Sequence, residues 1–250
     1  MKNRSIQFFT DPAAFQEKER LYFEVRRREG RIFPDEVVRD LPFISSSSPY
    51  AKEWTLRRRS FQRLEQYLKK RFSGKKISIL DLGCGNGWMA NRLAQNTEWD
   101  VWAVDLNEHE LAQGARLFGR ENLHFVYADL LNVSASAFPG SFDVIVLAAS
   151  VQYFPDLQAL VAALRARLKT GGEIHFVDSP FYKNVTERVA ARQRTFDYYS
   201  KAGVPEMAAF YHHHTWPEIY KEGGKNLNNQ LTVKILQKTG HLAPFPWIVL

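Results

Sequence analysis

Five short apolar runs divide residues 77–179: ISILDL (77–82), DVWAVDL (100–106), LHFVYADL (123–130), DVIVLAA (143–149) and EIHFVDS (173–179). Between them lie segments of helical pattern, at 87–95, 108–118 and 156–169, with Thr170-Gly171-Gly172 expected to end the last. Runs that are apolar throughout, not on alternate residues, predict strands buried on both faces. Parallel strands joined by helices fit this pattern, and right-handed crossovers then give an α/β doubly wound sheet.

The flanks read differently. Asp11-Pro12 opens a helix expected to run to Gly30, since Asp caps well and Pro fits the first turn. A short helix is expected at 34–41. Ser48-Pro49 opens another, to about residue 72, with Trp54, Phe61, Leu64, Leu68 and Phe72 on one face. Residues 180–230 look aromatic and irregular. LTVKILQK (231–238) and FPWIVL (245–250) are expected to close the sheet as an antiparallel pair.

Charge is uneven. Residues 1–75 carry 18 Lys+Arg and 10 Asp+Glu, although the whole chain is only +7. A basic face can meet nucleic acid, and solvated helices rich in Arg are the plainer reading. The single cysteine, Cys84, leaves no internal disulfide framework and no four-cysteine zinc site. No metal is expected. No apolar stretch approaches a membrane span of about 20 residues. MKNRSIQFFTDP lacks the apolar run of a secretory signal, so the expected location is the cytoplasm.

The chemistry concentrates in ILDLGCGNGWMANRLA (79–94). Gly83, Gly85 and Gly87 follow a strand that ends near Asp81, and a helix opens after them. Glycines let a backbone approach a ligand closely, and a helix start favours an anionic group. No Gly-Lys-Ser/Thr follows, so this is not a phosphate loop of that type. Asp81 suits a ligand with a cationic group beside a carboxylate. Asp105, twenty residues after Gly85, can accept from a ribose diol. Asp129 can accept from an adenine amino group, with the Leu130 N–H facing a ring nitrogen. An amino acid, a ribose and an adenine together make S-adenosylmethionine.

With these residues the chain resembles class I S-adenosylmethionine-dependent methyltransferases of the small-molecule type. The resemblance spans about residues 76–180 and the final segment. It implies a Rossmann-like sheet of seven strands with the last antiparallel. Residues 1–75 would be a helical extension of the same domain, 76–250 the methyltransferase domain, and about 180–230 a lid. Gly83, Cys84, Gly85 and Gly87 would back the methionyl part. Asp105 and Leu106 would hold the ribose, and Asp129 and Leu130 the adenine. Ala149, after the fourth strand, completes this wall. Tyr50 and Trp54 would fold over the cofactor, and Arg57 or Arg58 would meet its carboxylate.

The acceptor side is less specific. AASVQYFPD (148–156) is not the [DN]PP[YF] of many amino-methylating nucleic-acid enzymes. It resembles the same segment of small-molecule methyltransferases, which implies transfer to an oxygen or nitrogen of a small molecule with Tyr153 in the acceptor site, and the aromatic-rich segment that follows favours an aromatic or apolar acceptor. Residues 179–220 hold nine aromatics, among which Phe181, Tyr182 and Phe210 are candidate acceptor contacts. In Tyr211-His212-His213-His214, Tyr211, His212 and His214 are candidates for proton removal. Two other readings stay open: RNA methylation through the basic N-terminal region, and non-catalytic binding of S-adenosylmethionine by a regulator. Oligomeric state is not readable.

Overall fold

The structure, a computed structural model, describes residues 5–250. Lys2 and Arg4, which contribute to the basic N-terminal charge, lie outside the described residues. In chain order the elements are β1 (Gln7–Phe8), α1 (Gln16–Arg28), α2 (Asp35–Asp40), α3 (Ala51–Arg71), β2 (Ile77–Leu82), α4 (Trp88–Leu93), β3 (Trp99–Asp105), α5 (Glu108–Leu117), β4 (Leu123–Tyr127), β5 (Phe142–Ala148), α6 (Leu157–Arg165), β6 (Leu168–Val177), β7 (Phe181–Tyr182), α7 (Val185–Lys201), β8 (His214–Thr215), α8 (Trp216–Lys221), β9 (Lys225–Asn226), α9 (Leu231–Lys238) and β10 (Trp247–Val249).

The main sheet has the order β1-β4-β3-β2-β5-β6-β10-β9. Strands β2 to β6 are mutually parallel, and β10 runs antiparallel to β6. Six of the seven expected strands form, as β2 to β6 and β10, and the eight-stranded sheet is completed by β1, which pairs with β4 at one edge, and by β9, which pairs with β10 at the other. Alternate residues of each strand feed opposite layers. Ile79, Val101 and Phe125 meet α3, α4 and α5, whereas Leu80, Trp102 and Val104 meet α6 and α8. Both layers are apolar, which explains the unbroken hydrophobic runs. The chain order reverses direction between β2 and β5, and ligands of such sheets bind at that switch point, outside the strand ends.

Three expectations need correction. Residues 231–238 form helix α9, not a strand. The edge of β10 is already taken by β9, so 231–238 satisfies its backbone groups internally. Thr170-Gly171-Gly172 does not end a helix. The helix stops at Arg165, and the glycines sit in an irregular stretch of β6, where Phe142 faces Leu168 but Val144 faces Glu173. Residues 180–230 are also more regular than expected. They contain the 17-residue α7, which buries only Ala191 and Tyr199 and so shows little apolar stripe.

Candidate functional site

A cavity of about 410 Å³ opens at the carboxyl ends of β2 to β5, within the range of small-molecule pockets, about 300–1,000 Å³. Its floor is the glycine loop. Gly83, at φ +77°, has no room for a side chain, since a Cβ would fall 2.4 Å from that of Ser150. Ser150 Oγ donates to the Leu82 carbonyl at 2.7 Å and ties this loop to the end of β5. Gly87 stands in the same way against the Phe125 ring and opens α4. Ala149 lines the cavity at φ +56°, a conformation that costs a non-glycine residue about 1–3 kcal/mol and clusters at ligand sites.

Asp105 ends β3 beneath this loop. Its two oxygens each accept a backbone N–H, from Gly85 and from Leu106, both at 2.7 Å. The carboxylate is therefore fixed in orientation while each oxygen keeps a free lone pair. Asp129 is fixed similarly. Its Oδ1 accepts from Leu131 N and its Oδ2 from the Asn132 side chain, and its own N–H donates to Thr10. Asp105, Leu106, Asp129 and Leu130 all line the cavity.

Carboxyls crowd the loop. Asp81 lies buried behind it, lining a second space of about 30 Å³ with Ser60 and Asp178. Neither Asp81 oxygen has a hydrogen-bond partner of normal geometry, although the Ala90 N–H lies near. Burial first, and Asp105 second, push Asp81 up to about 8. Glu110, half-buried at the cavity wall, is pushed up to about 7 by burial, with the Arg26 charge opposing and Asp105 adding to the rise. Burial also raises Asp105, against its two backbone donors. A cation placed among these groups relieves the repulsion. The fit to a sulfonium that also carries an ammonium and a ribose is therefore chemical as well as spatial.

The opposite wall comes from the N-terminal segment. Lys18, Tyr22 and Arg26 of α1, with Arg31 and Phe33 beyond it, face the loop across the cavity. Burial lowers the Lys18 ammonium, opposed by Asp105 and Asp129 beneath it. Glu19 Oε1 accepts the Glu108 N–H at 2.6 Å and the His109 N–H at 3.3 Å, which docks α1 on the start of α5. Arg26 donates to the Tyr22 hydroxyl at 2.9 and 2.8 Å. Arg31 grips Glu53 through two bonds, and Arg57 shares that carboxylate. No sequence pattern marked Lys18, Glu19, Arg26 or Glu110, and Tyr22 reads only as part of an apolar stripe with Phe15 and Val25. Their shared site depends on α1 folding back over residues some 80 positions away.

Of the expected site residues, Gly83, Cys84, Gly85, Ala149, Trp54 and Tyr153 line the cavity with the acids above, as does Arg57. Arg58 instead lies over the Phe43 ring. Cys84 is buried, and that burial raises its thiol. Asp81 and Gly87 stand behind the lining. Tyr50 supports it from outside, its ring edge-on to Phe33 and its hydroxyl bonded to the Glu29 carbonyl. The histidine run does not line the cavity. His214 is buried and bonds the Phe154 carbonyl at 3.0 Å, His213 meets Thr195, and the His212 N–H is held by Gln152. His212 is half-buried and close enough to Lys18 for that charge to lower its pKa, after burial. Tyr211 packs edge-on to Tyr153, and Phe210 joins the small cluster between α1 and α7. Phe181 packs on Phe176 and Trp216, and Tyr182 on His213. Tertiary packing, with its need to satisfy buried imidazoles, claims these side chains. Among the described residues no helix is long and apolar enough to cross a membrane.

Comparison with known proteins agrees with the geometry. Residues 79–172 match the family model described as a methyltransferase domain. A ubiquinone biosynthesis O-methyltransferase of Acinetobacter baumannii (strain AYE) is 28% identical over 149 residues, 55% of this chain and 62% of that protein. One from Thiobacillus denitrificans is 36% identical over 106 residues, 42% of this chain and 44% of that protein. The chain thus spans less than two thirds of these relatives. Among solved structures, Haemonchus contortus phosphoethanolamine N-methyltransferase 2, in complex with S-adenosyl-L-methionine, gives a TM-score of 0.55 at 18% identity, covering 86% of this chain and 47% of that one. The YcgJ protein of Bacillus subtilis gives 0.51 at 19%, covering 74% and 78%. These two show the fold. The matched family model lies around the glycine loop and its acids, so residues 79–172 form a methyltransferase domain, and the model, the relatives and the fold together support the class I S-adenosylmethionine-dependent methyltransferase superfamily.

Proposed function

We propose that the chain transfers a methyl group from S-adenosylmethionine to an oxygen or nitrogen of a small aromatic acceptor. The observation that carries this is Asp105, held by Gly85 N and Leu106 N at the mouth of the glycine loop, with Asp129 on the same wall. In this reading Gly83 to Gly85 and Ala149 receive the methionyl part, Asp105 the ribose, and Asp129 with Leu130 the adenine. The bound cofactor supplies an electrophilic methyl on a sulfonium. The chain's own task is to align the acceptor, exclude water and manage the acceptor's proton. Tyr22, Trp54 and Tyr153 close the cavity against solvent. Glu110, which titrates near neutrality on the same wall, is the group we assign to take up that proton. The names of the curated relatives support oxygen as the receiving atom.

The RNA alternative finds less support. Arg20, Arg26, Arg27, Arg28, Arg31, Arg57, Lys69 and Arg71 each pair with a carboxylate. Eight of the 18 basic residues in this region are thus held in ion pairs. Calorimetry with S-adenosylmethionine and S-adenosylhomocysteine is the direct test, and a folded protein that binds neither refutes the proposal. A mass-spectrometric screen for methylated product then separates an enzyme from a non-catalytic binder.

A further inference from the structure

Beside the cofactor cavity lies an open cleft of about 350 Å³, between the C-terminal half of α1 and one face of α7. Arg26, Arg31 and Tyr153 line both spaces, so the cleft adjoins the cavity at these three residues. Nothing described so far gives the cleft a task.

Its lining is unusual in two respects. Five tyrosines contribute: Tyr153, Tyr182, Tyr198, Tyr199 and Tyr211. Their rings form an edge-to-face array, with centroids 5.9 Å apart for Tyr153 and Tyr211, 6.3 Å for Tyr199 and Tyr211, and 5.3 Å for Tyr198 and Tyr199. The Tyr198 hydroxyl donates to Glu29. The hydroxyls of Tyr153, Tyr182, Tyr199 and Tyr211 make no hydrogen bond to another described residue. Burial raises all four phenols, so they remain neutral donors at physiological pH.

The second respect is charge. Three guanidinium groups, of Arg26, Arg31 and Arg194, face one carboxylate, Glu29. Arg26 and Arg31 share Glu29 at 3.6 and 3.3 Å, and Arg31 also grips Glu53. Arg194, exposed on α7, has no ion pair among the described residues. A cationic ligand would meet this excess unfavourably. A planar ring suits the tyrosine array, and a carboxylate or phosphoryl group suits an arginine fork with phenol donors beside it.

We infer that this cleft binds the methyl acceptor, and that the acceptor is a small aromatic acid whose anionic group meets Arg194 while its ring lies among the tyrosines. The reacting end then reaches past Arg26 and Tyr153, which line both spaces, into the cofactor cavity, where Glu110 stands on the wall. This assignment rests on the methyltransferase reading and adds to it a location and a charge for the acceptor.

The test uses the full chain saturated with S-adenosylhomocysteine and three probes: benzoate, phenyl phosphate and phenol. Binding is followed by ligand-observed NMR titration. At least one anion should bind tenfold or more tightly than phenol, and the tighter of the two identifies carboxylate or phosphoryl recognition. Arg194→Gln should weaken that anion about tenfold, leaving phenol and S-adenosylhomocysteine within twofold of the unmodified protein. Phenol binding as well as both anions, no binding of any probe, or an Arg194→Gln variant with unchanged anion affinity would each overturn the assignment. Absence of S-adenosylhomocysteine binding in the unmodified protein is a different failure, because it removes the methyltransferase reading itself.

Discussion

The two walls of the cavity are built on different principles. The sheet wall is made of strand ends and short loops, and its fixed groups are carboxylates held by backbone N–H groups within a few residues or one strand away. The lid wall is made of long side chains from α1 and the segment after it, and its fixed groups are Arg26, held on the Tyr22 hydroxyl, and Arg31, held on the Glu53 carboxylate. One wall is acidic and backbone-defined, and the other is basic, phenolic and defined by side chains. The acidic wall suits the cationic cofactor, and the basic wall turns toward the tyrosine cleft. If this division is right, damage to one wall should leave the other ligand's binding largely intact.

The largest effect should come from Asp105→Ala. It removes the two charge-assisted acceptors that we propose for the ribose and leaves the Gly85 and Leu106 N–H groups without their partner. At about 1.5 kcal/mol or more per bond, S-adenosylhomocysteine affinity should fall by about 100-fold. Calorimetry reads this directly, with circular dichroism to confirm folding. A loss smaller than about fivefold would mean that the sheet wall does not hold the ribose.

Gly83→Ala should follow. It forces an alanine into φ +77° and brings a Cβ to 2.4 Å from Ser150 Cβ. The expected cost is about 2 kcal/mol, a drop in Tm of about 4–8 °C for a chain of this size. Thermal melting with and without S-adenosylhomocysteine should show the ligand rescuing less of the variant than of the unmodified protein.

The same division explains what the sequence made legible. The sheet wall could be read because each part is local: a glycine loop after an apolar run, then an acid at each following strand end. Trp54 was readable because its helix stripe pointed inward. The lid wall could not be read, because Lys18, Glu19 and Arg26 differ in no local feature from other residues of a charged helix, and Tyr22 reads only as part of an apolar stripe. Only docking of Glu19 on the start of α5 places them over the loop. The histidine run drew attention by composition, yet its buried members serve packing and carbonyl bonds. Helix α9 was misread because its apolar spacing fits a strand as well as a helix, and the decisive fact is that β9 already occupies the sheet edge.

Proton linkage offers a third probe of the acidic wall. Asp81 is raised from an ordinary 3.8 to about 8, and Glu110 from 4.5 to about 7. For groups raised in the folded state, their contribution to stability is full below the unfolded pKa and is lost as pH rises through the folded one. The ligand-free protein should therefore lose stability between about pH 5 and pH 8. A cationic ligand lowers both groups, so binding near pH 7 should release about one proton. Calorimetry in buffers of different ionisation enthalpy measures this. Release should be larger for S-adenosylmethionine than for S-adenosylhomocysteine, which lacks the sulfonium charge, and smaller in Asp81→Asn. Equal heats in all buffers would contradict a cation-binding acidic wall.

The smallest effect should be at the joint between the walls. Glu19 accepts two N–H groups at the start of α5, where the helix dipole also favours a negative charge. Glu19→Ala removes this contact but leaves the other end of α1, where Arg28 bonds the Ala202 carbonyl at 2.6 Å. The helix should stay folded and docked more loosely, at a cost of about 1 kcal/mol. Hydrogen exchange at the Glu108 and His109 amides should accelerate, and S-adenosylhomocysteine should dissociate about threefold faster with little change in its association rate. An unchanged dissociation rate would mean that the cofactor is held by the sheet wall alone, and that α1 shapes the acceptor side without closing the cavity.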